Sequence, residues 1–168
     1  MARIQRGEIQ LKMDWHSLEE VVGSAIRSLE PLLAAHRIVT HIPADLPLVQ
    51  FDAVLIERVL ANLLEDAAKY TPSGTCVTIS ALIDRQTLIV SVVDNGPGLP
   101  PALYKKLFDK FTRGEAESAT SGVGLGLAIC KAIVEAHHGK ISAHNLSDNT
   151  TDQSGAAFVF ELPWTEPP

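Results

Sequence analysis

The apolar positions of the chain fall into segments of helical and of alternating period. Between residues 52 and 70, Leu55, Ile56, Val59, Leu60, Leu63, Leu64 and Ala67 recur at three- and four-residue intervals. That spacing lays them along one stripe of an α-helix, and Thr71-Pro72-Ser73-Gly74 ends it. A second strong helix is predicted over 124–138, closing near Gly139. A third covers 18–34, with Ser17 as N-cap and Glu20 three residues on, a capping-box pattern. Pro31 falls inside it and kinks or stops it near Glu30. Residues 102–107 read as a short helix.

Residues 75–83 and 87–94 are β-rich runs separated by Asp84-Arg85-Gln86, the pattern of a hairpin. Further strands are expected at 8–15, 37–42, 140–144 and 156–162, the last alternating Phe158, Phe160 and Leu162. A Pro-containing loop spans 43–47 and a Gly/Pro turn spans 94–101. Residues 109–122 are polar, small and aperiodic; a loop of that length in a compact domain is usually functional or disordered. No internal repeat is visible. Strands that pair in runs, with helices between them, predict an α/β fold of the two-layer α+β sandwich kind, a mixed sheet with helices over one face.

The 168 residues suffice for one domain with a sizeable core, and with only 5% aromatic residues the aliphatic side chains must fill it. The net charge of −6 argues against a nucleic-acid or anionic-membrane surface, so an anionic ligand needs a local cationic site. Cys76 and Cys130 lack metal-like spacing and read as reduced core thiols of a cytosolic domain. No apolar run reaches the roughly 18 residues of a membrane span, and no secretory signal is visible. Residues 2–6 are expected to be the last turn of a helix, with Gly7 as its left-handed stop. One turn does not stand alone, so 1–7 is read as a remnant, 8–163 as the folded unit and 164–168 as a Pro-rich tail.

Four stretches carry candidate chemistry. Asn62, Asp66 and Lys69 stand at i, i+4 and i+7, on one face of the 52–70 helix. An amide, a carboxylate and an ammonium in a row can serve a metal and a phosphate together. Mg²⁺ takes oxygen ligands, few of them from protein, and Lys acts on phosphate as a point charge. Taken alone, the row is also what a solvated face with an ordinary ion pair presents. In "VVDNGPG", Asp94 closes a strand, and Gly96 and Gly98 let a flat ligand approach the backbone. A carboxylate accepts from an exocyclic amine such as adenine's; a tight turn with a capping Asp has the same letters. In "SGVGLGLAIC", Gly122, Val123, Gly124, Leu125, Gly126 and Leu127 open the second helix. The stretch lacks a Gly-Lys-Ser/Thr ending and is spaced G-x-G-x-G rather than G-x-G-x-x-G. A helix N-terminus binds phosphate through its unpaired N–H groups, though a flexible linker also fits. In "FDKFTRG", Phe108 and Phe111 anchor a loop while Lys110 and Arg113 reach toward phosphates, making 108–122 either a lid or a plain surface loop.

Their order is the stronger signal: N-LLE-D-AAKY, D-N-G-P-G, F-D-K-F, then G-V-G-L-G-L. The set resembles the N box, first glycine box, F box and second glycine box of sensor histidine kinases. Their ATP-binding fold (the Bergerat, or GHKL, fold) is shared with DNA gyrase, a class of heat-shock chaperones and the MutL mismatch-repair proteins. The resemblance covers about residues 8–163. The finer match in "ERVLANLLEDAAKY", "DNGPGLPP", "FDKFTRG" and "GVGLGLAICKAIVEAHHG" is similar to a potassium-sensing branch of these kinases.

The resemblance implies ATP and Mg²⁺ held between the N-box helix and a lid. Asp94, with Gly96 and Gly98, would read the adenine amine, and Tyr70 would flank the base. Lys69 and Arg113 would act on the phosphates, with Lys110 and Phe111 beside them. Asp66 would ligate the metal and Asn62 support its water shell. Gly122 to Leu127 would form the hinge and cradle of the lid. The γ-phosphoryl would pass to a His on a dimerisation domain of the same homodimeric parent, then to a response-regulator receiver domain. The domain would be cytoplasmic and monomeric by itself, part of an inner-membrane sensor, without direct membrane or nucleic-acid contact.

Two departures stand out. The family usually has Asn where this chain has Asp66. None of the six histidines, His16, His36, His41, His137, His138 and His144, lies in an H-box sequence; His16 in "DWHSLEE" comes nearest and lacks the following Arg and Pro. The chain is therefore expected to bind ATP without phosphorylating itself, with 1–7 as the end of the dimerisation helix. His137 and His138 are expected to complement a helix C-terminus. Alternatives of other classes are an ATPase or anti-sigma-type serine kinase of the same superfamily, and a nucleotide-sensing module without catalysis.

Overall fold

A computed structural model describes residues 4–5, 8–98, 123–146 and 154–168. The helix expected at 102–107 and the loop at 109–122 lie outside them. Strands β1 (Ile4–Gln5), β2 (Glu8–Ile9) and β3 (Asp14–His16) lead to helices α1 (Leu18–Ser28) and α2 (Glu30–Leu33). Next come β4 (Arg37–His41), β5 (Val49–Phe51), α3 (Ala53–Lys69) and the hairpin β6 (Cys76–Asp84) and β7 (Thr87–Asp94). The last described elements are α4 (Val123–Ala136), β8 (Lys140–Asn145) and β9 (Ala156–Pro163).

Five strands form one mixed sheet in the order β4-β6-β7-β9-β8, with β4 parallel to β6 and the other pairs antiparallel. Alternation decides its two faces. Val77, Ile79, Ala81, Leu88, Val90, Val92, Phe158, Phe160 and Leu162 are buried toward the helices. The residues between them, such as Thr78, Ser80, Ser91 and Val93, are half-buried on the other face. Helix α3 packs against both α1 and α4. Its predicted stripe, Leu55 to Ala67, is buried throughout, and truncating one such Leu to Ala costs about 2–5 kcal/mol.

Asp52 is the N-cap of α3. Its Oδ1 accepts from Leu55 N at 3.1 Å and its Oδ2 from Lys12 N at 2.8 Å. Its own N–H donates to His137 Nε2 at 3.1 Å, while His137 Nδ1–H donates to Ile133 O at 2.8 Å. Both ring nitrogens are thus used by a neutral imidazole. Burial pulls the His137 pKa down despite the helix carbonyl and Asp52, so His137 is a neutral staple between helices rather than the charged dipole partner expected from sequence.

Helix α4 ends in a Schellman turn: His138 N donates to Glu135 O at 2.9 Å and Gly139 N to Val134 O at 2.9 Å. His138 occupies the left-handed position with φ of +65°. A Cβ on Gly139 would overlap the carbonyl of Glu161, so the turn needs glycine to approach β9.

Several expectations change. Residues 4–5 pair with 8–9 as strands instead of forming a helical turn; a single turn closes too few hydrogen bonds to offset its nucleation. Pro31 does break the 18–34 helix, which stops at Ser28 and restarts as α2 with Pro31 in its first turn. The supposed tail is tied down at its start. Trp164 N donates to Gln86 O at 2.8 Å and its indole Nε1–H to Leu48 O at 3.1 Å. Cys76 is half-buried on the face of the sheet turned away from α1, α3 and α4, because its register in β6 points it away from the core; Cys130 is buried as expected.

Left-handed backbone costs a non-glycine residue about 1–2 kcal/mol, less what glycine loses by loosening the unfolded chain. His138→Gly is therefore expected to stabilise by about 0.5–1 kcal/mol, raising Tm by about 1–4 °C. Gly139→Ala is expected to destabilise by about 1–3 kcal/mol through overpacking. Thermal unfolding of both variants checks the pair.

Candidate functional site

Helices α3 and α4 run antiparallel. Asp52 meets His137 at one end, Cys130 Sγ lies 3.8 Å from Val59 O in the middle, and Asn62 Nδ2 lies 3.5 Å from Gly126 O toward the other end. The C-terminal half of α3 and the first turn of α4 therefore share one end of the helix layer. The turn after β7 joins them there: Thr71, just past α3, packs against Gly96, where a Cβ would sit 2.8 Å from Thr71 Cγ2.

Asp94 is the last residue of β7, and the alternation of that strand turns it to the helix face, 5% exposed. Its Oδ1 accepts from Gly96 N at 2.9 Å and from Ala156 N at 3.3 Å. Burial raises its pKa, and the two backbone donors and then His36 oppose the rise. The carboxylate is thus held as a fixed acceptor. Gly155 permits the contact, since a Cβ there would overlap the Asp94 carbonyl. Gly98, at φ of +87°, sits where a Cβ would come within 3.1 Å of Asn145 Oδ1.

The row on α3 separates by environment. Asp66 is 7% exposed, and its Oδ2 is buried with no hydrogen-bond partner among the described residues. Desolvation pushes its pKa up to about 7, with Lys69 pulling down and Glu65 pushing up. Lys69 is exposed and pairs loosely with Glu65 at 3.9 Å, not with Asp66. Such a pair between exposed groups adds little stability, so the ammonium is free to turn toward an anion. Tyr70 is the C-cap, half-buried against the core, its N–H donating to Asp66 O at 3.1 Å. The bland alternative of a wholly solvated face thus fails at Asp66.

Val123, Gly124 and Leu125 form the first turn of α4, with Gly126 half-buried beside Asn62 and Leu127 fully buried. Lys110, Phe111, Arg113 and Gly122 lie outside the described residues, as does Phe108. Sequence reasoning missed Gly155, Ala156, Thr71 and His36. A glycine directly before a strand is a signal for close backbone approach; the other three carry no local mark. Among the described residues no cluster of three or more His, Cys, Asp or Glu side chains is arranged to hold a metal. None of the described helices is long and apolar enough to cross a membrane.

One end of this helix-on-sheet sandwich thus gathers an oriented buried acceptor, a carboxylate oxygen without a partner among the described residues, and a helix N-terminus. The profile of the family described as "Histidine kinase-, DNA gyrase B-, and HSP90-like ATPase" matches residues 51–166. The chain belongs to this family and has the form of the ATP-binding catalytic domain of a sensor histidine kinase. In particular it is similar to Sensor protein KdpD of Escherichia coli (strain K12), 50% identical over 163 residues, covering 97% of this chain and 18% of that protein. It thus spans less than a fifth of that relative's length. The catalytic domain of histidine kinase ThkA, nucleotide-free, superposes with a TM-score of 0.74 at 27% identity, covering 90% of this chain and 97% of that one. Full-length ShkA in complex with AMPPNP gives 0.76 at 26%, covering 95% and 32%.

The Asp66 carboxyl makes stability depend on pH. Below its ordinary value of 3.8 it is protonated folded and unfolded alike. From there to about 7 the unfolded chain ionises while the folded chain resists, so stability falls with rising pH and levels off above about 7. At about 1.4 kcal/mol per pH unit, the loss is at most about 4 kcal/mol. Asp66→Asn is expected to raise nucleotide-free stability at pH 8 and leave it little changed at pH 4. Urea unfolding at the two pH values measures this, and an equal effect at both would rule out burial of the charge as the cause.

Proposed function

We propose that this chain holds ATP with Mg²⁺ and presents the γ-phosphoryl to a His on a dimerisation domain of its parent protein. In the transfer, the bond between the γ-phosphorus and its bridging oxygen breaks, a P–N bond forms at the acceptor imidazole, and ADP leaves. Such transfer is mostly positioning and charge stabilisation. The observation that carries the reading is Asp94, a buried carboxylate fixed by two backbone N–H groups at the end where α3 and α4 meet. An acceptor so placed suits the exocyclic amine of adenine, with Tyr70 beside the base.

The phosphates would then meet Lys69 and the N-terminal turn of α4, with Gly124 and Gly126 in the cradle; Arg113, Lys110 and Gly122 would join them by the resemblance alone. Phe111 would belong to the lid by the same resemblance. Asp66 fits a divalent cation, because its Oδ2 has, among the described residues, no partner of the kind a buried carboxylate requires. Mg²⁺ there would neutralise phosphate charge, its other oxygens coming from water and phosphate, and Asn62 would support the water shell. Residues 8–163 form the catalytic unit in this reading. The parent is a homodimeric, membrane-anchored potassium sensor of the KdpD kind, with this domain in the cytoplasm and a response-regulator receiver as the final acceptor. The similarity to KdpD supports this reading.

Calorimetric titration of ATP, with Mg²⁺ and then with EDTA, tests the site. Asp94→Asn is expected to weaken binding about 10- to 100-fold, the range of a hydrogen bond to a charged group. A metal ligand must be ionised, and Asp66 titrates near 7. Affinity for ATP with Mg²⁺ is therefore expected to fall below pH 7 in the native chain and stay flatter in Asp66→Asn. Binding untouched by metal or pH would remove Asp66 as a ligand.

Transfer is tested by adding the dimerisation domain of the parent to this chain with radiolabelled ATP. Acid-labile phosphate is expected on the added domain and none on the chain alone. Binding without any transfer would favour a nucleotide-sensing module.

A further inference from the structure

We infer that His36 and Thr71 form a positioning pair that sets base selectivity by holding the Gly96–Asp94 turn from behind. The inference rests on Asp94 reading the base amine.

The backbone fixes both residues first. Gly74 N donates to Ala35 O at 2.7 Å and Arg37 N to Thr75 O at 3.0 Å, so the segment around His36 is laced to the turn that follows α3. Between those bonds, His36 Nε2 lies 2.8 Å from Thr71 Oγ1. The Thr71 hydroxyl has one proton, directed at Ala67 O at 2.6 Å. Its oxygen must therefore accept from the imidazole. Nε2–H is thus the donor to Thr71, and Nδ1 is buried without a partner among the described residues.

Two hydrogen bonds lock the Thr71 rotamer, and the locked rotamer aims Cγ2 at Gly96. Gly96 N in turn donates to Asp94 Oδ1. The order of contact is His36, Thr71, Gly96, Asp94, and each link is short and specific. A site of this kind must be kept within about 0.5 Å of its working geometry. Loosening the pair should degrade the contact to the base and leave the phosphate contacts alone.

That asymmetry gives a readout a purely structural role would not move. ADP and IDP carry the same phosphates, but hypoxanthine presents a carbonyl oxygen where adenine presents an amine. Affinities of the intact chain for both are measured by calorimetry, beside melting temperatures. The native chain is expected to prefer ADP at least tenfold. Thr71→Ser keeps both hydrogen bonds and deletes only the methyl; it is expected to cut the preference at least threefold with little change in Tm. His36→Leu removes the donor and should do the same. His36→Gln places an amide N–H near Nε2 and should restore the preference to within twofold of native. An unchanged preference in Thr71→Ser and His36→Leu overturns the pair while leaving Asp94 as reader, provided Asp94→Asn abolishes it. A native chain with no preference for ADP overturns Asp94 as reader and this inference together. If His36→Leu does not fold, Thr71→Ser decides alone.

Discussion

The N–H of Asp52, donated to the neutral imidazole of His137, fixes the register of the two helices that frame the site. Asp52 sits at the start of α3 and His137 just past the end of α4. Antiparallel helices pinned at one end have little freedom to slide, because the side chains between them interlock. Asn62 is thereby brought opposite Gly126, more than two turns further along α3. The imidazole can do this only as a neutral group, and its burial keeps it so. Half of the site's geometry is thus set at the end of the helix pair remote from it.

Two buried carboxylates then differ by what meets them. Asp94 has backbone N–H groups on one oxygen, and those donors offset part of its desolvation. Asp66 has an oxygen that nothing among the described residues meets, and its proton affinity rises accordingly. The first is a finished acceptor with a defined direction. The second is an unfinished one, stabilised by a proton or by a cation. The same end of the helix layer thus holds one acceptor of fixed direction and one whose protonation is adjustable.

How much of this was legible depended on sequence distance. The α3 stripe, the cap at Ser17 and the β6–β7 hairpin are local patterns, and each was readable; the cap at Asp52 is as local but went unread. Strand β5 was not, since three residues between a Pro-rich loop and a helix are too few to show alternation. Residues 4–5 were misread because a short polar run with a following glycine suits a helix end as well as a strand pair. The α3 row and the 94–98 turn were readable as candidate chemistry, but Ala156, 62 residues from Asp94, was not. His36 and Thr71, 35 residues apart, are likewise joined only by the parallel crossover from β4 to β6. Charge state was the least legible property: His137 looks like a helix-end cation until its burial is known.

The opposite placements of the two cysteines have a practical consequence for covalent chemistry. Cys130 is sealed beneath Asn62, and burial pushes its thiol up to about 12, so almost no thiolate exists at neutral pH. Cys76 sits half-buried on the other face of the sheet, away from the helix layer. A thiol-reactive fluorophore should therefore choose one position without any engineered cysteine. It would report from behind the sheet, in register with Asn95, whose side chain accepts the N–H of Cys76 itself.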